Sequence, residues 1–122
     1  MVAWAFDLAT VNRVIDGDTI EIDVDLGFRV TIRGSFRLLG LNAIELSQPG
    51  GKESRANLAA ILPAGTAITL RSVKNDKYSR WDATITLPDG QDLTTLLIRT
   101  GWAAPWDGTG KAPVPAWPRQ GT

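Results

Sequence analysis

From Thr19 to Leu26 the chain alternates strictly, with Ile20, Ile22, Val24 and Leu26 on one side and Glu21, Asp23 and Asp25 on the other. A period of two is the mark of a strand with one face buried and one face wet. Thr10 to Ile15, rich in β-branched residues, reads as a strand before it, and Asp16-Gly17 supplies the turn between them. After Gly27, Phe28, Val30 and Ile32 alternate with Arg29, Thr31 and Arg33, which predicts a third strand returning antiparallel. Gly34-Ser35 breaks the pattern before Phe36 resumes it, so a bulge or sharp bend of the kind that closes small barrels is expected there.

The remaining elements follow the same logic. Gly50-Gly51 opens a helical stretch to about Leu62, whose Leu58, Ile61 and Leu62 form one apolar stripe until Pro63 stops it. Thr66 to Lys74 and Trp81 to Leu87 read as two more strands, joined by the charged segment Asn75 to Arg80, and Pro88-Asp89-Gly90 reads as a turn. Asp92 caps a short helix with Leu93, Leu96, Leu97 and Thr100 on one face and Gly101 just past its end. From Pro105 onward prolines and glycines replace periodicity, predicting an ordered wrap or a loose tail, with Trp106 and Trp117 arguing for partial docking. Five short strands with a helix between the third and fourth is the order of an OB-fold. The expected class is therefore mainly β with α (α+β): a five-stranded Greek-key β-barrel with two short packed helices and a Pro-rich C-terminal tail. Residues 1–104 form the barrel domain and 105–122 the tail.

Composition narrows the chemistry. With 122 residues, 43% hydrophobic and 21% charged, the chain suits one soluble domain with a single core. Thirteen basic and thirteen acidic residues cancel, so any hold on a polyanion must come from local charge segregation. There is no cysteine and no histidine, which excludes thiolate and imidazole as metal ligands and imidazole as a base. Acid–base work falls to carboxylates, Lys, Tyr or metal-bound water. The N-terminus shows no signal-peptide pattern and no apolar run is long enough to span a bilayer, so a cytoplasmic location is expected unless a leader has been removed.

The polar residues at strand ends carry the functional reading. Asp16 and Asp18 flank Gly17 in the first turn, Arg37 lies in the strand after Ser35, Asn42 and Glu45 follow it, and Arg80 ends the loop before Trp81. Two carboxylates with an amide or backbone carbonyl make an oxygen-only site suited to calcium rather than zinc. Two arginines beside it supply forked donors for phosphate oxygens. Cation, guanidinium pair and a water-aiming carboxylate together are what phosphodiester hydrolysis requires. Singly, each has a plainer explanation: Asp16-Gly17-Asp18 as a hairpin turn, Lys77 to Arg80 as a solvated loop.

Val14-Ile15-Asp16-Gly17-Asp18-Thr19-Ile20, Arg37 to Glu45, Asp76-Lys77-Tyr78-Ser79-Arg80-Trp81 and Leu97 to Ala103 occur in the order and spacing of the staphylococcal nuclease (thermonuclease) family. The chain resembles that family from about Val11 to Ala103, and four motifs in order are far more specific than any one. The resemblance implies an OB-fold nuclease that uses one calcium ion to cut DNA and RNA and leaves 3′-phosphates; from Asp18, Arg37, Glu45 and Arg80, single-stranded or frayed substrate is expected. It implies Asp18 as the direct carboxylate ligand, with Asp16 beside it, Asn42 as a second side-chain ligand and Ala43 as a carbonyl ligand. Glu45 corresponds to the general base or water-positioning group, Arg37 and Arg80 to the arginines on the scissile phosphate, and Lys77 and Tyr78 to contacts with a terminal phosphate. Trp106 lies near the position where the family places a tyrosine against the base, which implies a stack on a nucleobase, and a core indole is its plainer reading.

Four departures stand out: Asn42 for a common Asp, Ile44 for a Pro, Ser79 for a Gly, and a third helix that Pro113 and Pro115 would break. Two other functions compete with the nuclease. One is a non-catalytic OB-fold module of the same family that binds nucleic acid or protein; retention of Arg37, Glu45 and Arg80 argues against it. The other is a structural protein reusing the fold, for which zero net charge and the Pro-Trp tail speak. A monomer is expected, and compact members without a leader resemble those of phages and mobile elements.

Overall fold

The computed structural model describes residues 4–75 and 81–119. Strands β1 (Trp4–Asp16), β2 (Thr19–Asp25), β3 (Thr31–Leu38), β5 (Ala67–Asn75) and β6 (Trp81–Thr86) close into a barrel in the order β1-β2-β3-β6-β5, the topology expected of an OB-fold. Helix α1 (Gly51–Ile61) stands between β3 and β5, and α2 (Leu93–Arg99) follows β6. A two-stranded ribbon, β4 (Leu41–Ala43) with β7 (Ala103–Pro105), lies beside the barrel.

Alternation fills the cylinder. Ile20, Ile22 and Val24 of β2, Phe36 and Leu38 of β3, Ile68 and Leu70 of β5 and Ala83 and Ile85 of β6 are buried together. Leu58 and Leu62 join this core from α1 and its end, and Leu93 and Leu97 join it from α2. The Asp92 carboxylate accepts both the N–H (2.9 Å) and the hydroxyl (2.8 Å) of Thr95, the cap that the sequence announces.

Closure is achieved differently from the sequence expectation. The β2–β3 register runs without interruption from Asp25↔Thr31 to Thr19↔Arg37, straight through Gly34 and Ser35, so no bulge lies there. The irregularities fall mainly in β1, at Val11/Arg13 and Val14/Asp16 against β2 and at Phe6/Ala9 against β5, with one more between Ser72 and Asn75 of β5 against β6. This long strand pairs with β2 through its second half and with β5 through its first, and its bulges supply the curl. The third strand also begins later than predicted. Phe28 and Arg29 adopt positive φ (54° and 62°) in the hairpin tip rather than strand geometry, and Phe28 is fully exposed. Leu26, Val30 and Ile32, apolar by pattern, are likewise exposed. Alternation records which side a residue takes, but near a barrel rim that side has nothing to pack against.

Candidate active site

Strand register assembles the site. Thr19 pairs with Arg37 across β2 and β3, and the Leu38 N–H donates to the Asp18 carbonyl at 2.8 Å. The turn carrying Asp16 and Asp18 is thereby fixed beside Arg37, at the end of the barrel where β3 leaves for β4. A one-residue slip would turn Arg37 into the core. In β4, Leu41 and Ala43 are buried and Asn42, between them, faces the other way.

Asp18 is the hub and is only 8% exposed. Its Oδ2 accepts from Nη2 of Arg37 and from the Ala43 N–H, both at 3.3 Å, and its Oδ1 accepts from the Thr19 hydroxyl at 3.1 Å. Oδ1 of Asp16 accepts the Asp18 N–H at 3.0 Å, an Asx-type turn that pulls the two carboxylates together. Burial pushes the Asp18 carboxyl up to about 6, reinforced by the Asp16 charge and its hydrogen bond and only partly opposed by Arg37 and the Ala43 amide. The Arg37 contact explains why attraction loses. At 3.3 Å it is long for a charge-assisted bond, which runs at about 2.7–2.9 Å.

Nη2 of Arg37 also donates to Asn42 Oδ1 at 3.2 Å, and its guanidinium carbon lies 5.4 Å from the Trp106 ring centroid. Trp106 is brought there by its own N–H, which donates to the Gly40 carbonyl at 3.0 Å, one step beyond the β4–β7 ladder. Asp18 Oδ2 and Asn42 Oδ1 therefore aim at one point, now held by a guanidinium nitrogen. With Asp16 alongside, the donors are all oxygen and carry two formal negative charges, a set that suits a hard divalent cation. Among the described residues no group of three or more acidic side chains is placed to hold a metal.

Glu45 is exposed on the chain leaving β4, and its carbonyl accepts the Gln48 N–H at 2.9 Å. Gly51, the first residue of α1, lies so close to that carbonyl that an added Cβ would overlap it. Helix α1 thus holds the Glu45 main chain in place. Gly17 plays the same part at the acidic turn, where an added Cβ would overlap Ser54 Oγ and lie 2.9 Å from the Ala43 Cβ. Gly17→Ala is expected to lower stability by about 1–3 kcal/mol through overpacking, read as a lower melting temperature. An unchanged melting temperature would show that α1 does not clamp the turn.

Structure thus brings together Asp16, Asp18, Arg37, Asn42, Ala43 and Trp106. It places Ala43 through its N–H, on Asp18, and sets Glu45 at the edge. Lys77, Tyr78 and Arg80 lie outside the described residues. Sequence reasoning missed Thr19, Ser54 and Thr94, whose hydroxyl donates to the Leu39 carbonyl at 3.0 Å and braces the turn before β4. It also missed the Pro113 carbonyl, which accepts from Asn42 Nδ2 at 2.9 Å. Thr19 had one signal, its place directly after Asp18; the others are joined to the site only by long-range packing.

No family model matches the chain. Two curated proteins, one from Escherichia coli O157:H7 and one from Escherichia coli, both named "Uncharacterized endonuclease", are each 33% identical to it over 93 residues. The match takes in 76% of this chain and spans 57% of the length of those relatives.

Proposed function

We propose that the chain is a calcium-dependent nuclease that hydrolyses phosphodiester bonds of DNA and RNA and leaves 3′-phosphates. The observation that carries this reading is the convergence of Asp18 Oδ2 and Asn42 Oδ1 on one cationic nitrogen of Arg37 at the barrel's edge. Support comes also from the endonuclease name of relatives 33% identical.

Asp18, Asp16 and Asn42, with Ala43 contributing main chain, would hold the ion, which when bound supplies positive charge to the phosphoryl oxygens. The Asp16–Asp18 pair has the chemistry for it: Arg37 offsets only in part the burial and the Asp16 repulsion that raise Asp18, and a divalent cation would offset them further. Arg37 exchanges its long contacts with Asp18 and Asn42 for non-bridging phosphate oxygens and stabilises the charge that builds there. Glu45, exposed and carried on backbone held by α1, aims a water and takes its proton. Arg80 shares the phosphate with Arg37, Lys77 and Tyr78 hold a terminal phosphate, and Trp106 faces a base.

The test is cleavage of a labelled single-stranded oligonucleotide with millimolar calcium and again with chelator. Cleavage with calcium alone is expected; none, or chelator-insensitive degradation, sinks the proposal. Glu45→Gln and Arg80→Ala are each expected to lower turnover by at least about 10²-fold with folding intact, and wild-type rates would remove them from the mechanism. The second reading, a non-catalytic module that binds nucleic acid or protein, is favoured by one observation: Arg37 is already engaged by Asp18, Asn42 and Trp106. Retention of the oligonucleotide without cleavage under the same conditions would select it.

A further inference from the structure

The segment after β7 folds back onto the domain and is tied to it through Pro113, Trp117 and Arg119. Asn42 Nδ2 donates to the Pro113 carbonyl at 2.9 Å. Farther along, Trp117 seats on Gly50 at the start of α1, where an added Cβ would lie 2.6 Å from the indole, and its ring centroid is 6.1 Å from that of Trp102. Nη1 of Arg119 donates to the Thr100 carbonyl at 2.8 Å, and its guanidinium lies 4.8 Å from the Trp102 ring. Only the first of these contacts touches the site, and the others set where the strap runs.

A carboxamide accepts on one side and donates on the other, so its orientation follows from its neighbours. Asn42 Oδ1 faces a donor, Arg37, and Nδ2 faces an acceptor, Pro113. Turned over, the amide would set NH2 against guanidinium and oxygen against carbonyl, losing both bonds. Without Pro113, among the described residues only the 3.2 Å bond to Arg37 would oppose rotation about a torsion that is intrinsically soft.

We propose that the strap, through the Pro113 carbonyl, is a positioning element that holds the Asn42 oxygen toward Arg37 and Asp18 and makes position 42 select an amide over a carboxylate. The role of that oxygen as a cation ligand rests on the proposed function; the orientation of the amide does not. An Asp at 42 keeps its partner in Arg37 but aims a carboxylate oxygen at the Pro113 carbonyl with no proton between them, a mismatch of two acceptors at a solvent-exposed contact that an amide avoids.

Asn42→Asp is to be measured in the full chain and in the full chain carrying Trp117→Ala, which unseats the strap without altering a site residue. Asn42→Asp is expected to lower the melting temperature by roughly 5 °C with the strap seated and by less than half of that with it unseated. By calorimetry, the same substitution should change calcium affinity by less than about 3-fold with the strap seated and raise it about 10-fold once unseated. Equal effects in the two backgrounds would overturn the proposal. The unaltered protein gives an independent reading: by NMR, the Asn42 side-chain amide protons should exchange with water at least about 10-fold more slowly than those of exposed Gln48. Equal rates would overturn it even if Trp117→Ala does not fold. Strap coupling without calcium binding or cleavage sinks the nuclease reading alone; cleavage without strap coupling sinks this inference alone.

Discussion

Asp18→Asn is expected to raise the melting temperature of the metal-free protein at pH 7 while abolishing cleavage. The Asp18 carboxyl is pushed up to about 6 from 3.8, chiefly by burial and then by Asp16. At about 1.4 kcal/mol per unit, its charged form costs the fold roughly 1–3 kcal/mol at neutral pH. An amide removes that cost and suits the site, because it offers an oxygen to Arg37 and the Ala43 N–H and an NH2 to Asp16. The gain corresponds to a rise of roughly 5–10 °C. The sign with pH follows. A carboxyl raised in the folded state contributes stability that is fully present below its unfolded value near 3.8 and lost as pH rises through about 6. The variant and the wild type should therefore match near pH 4 and separate between pH 4 and 6.5, with the variant more stable. Adding calcium should reverse the order, since only the wild type gains from binding. Differential scanning calorimetry across this range decides the matter, and a wild type at least as stable as Asp18→Asn at pH 7 without metal would mean that Arg37 outweighs burial.

Arg37→Ala is expected to lower the cleavage rate by about 10²–10³-fold, the scale of losing one preorganised donor to a developing oxyanion. Arg37→Lys should recover little of it, because an ammonium cannot present to a phosphate the planar fork of two nitrogens that a guanidinium offers. Arg37→Ala also removes the charge that pulls the Asp18 carboxyl down, so in that variant the carboxyl should rise further. Initial rates with a fluorogenic oligonucleotide, beside circular dichroism to confirm the fold, are the measurement. Rates within about 3-fold of wild type would take Arg37 out of the chemistry.

Much of this arrangement was legible in the sequence, and the misses share a cause. The β2 alternation, the Asp16-Gly17 turn, the Pro63 stop after α1 and the Asp92 cap are local signals, and each matches the structure. The spacing of Asp18, Arg37 and Asn42 pointed to one site, and the structure joins them by hydrogen bonds. The misplaced bulge and the early start assigned to the third strand come from reading Gly34 and Phe28 by local pattern. Whether a glycine bends a strand depends on its partner's register, and Gly34 sits opposite Ile22 in an unbroken ladder. Phe28 is apolar in phase, yet the hairpin tip offers it no neighbour.

By itself, then, the sequence determined the alternating strands, the helix ends and the set of oxygen and guanidinium groups present, because these depend on residues a few positions apart. Tertiary structure alone decided that Thr19 faces Arg37, that burial outweighs a nearby guanidinium at Asp18, and that a proline-rich tail returns to orient Asn42. Each of those outcomes depends on partners distant along the chain, and their distances and desolvation exist only once the barrel has closed.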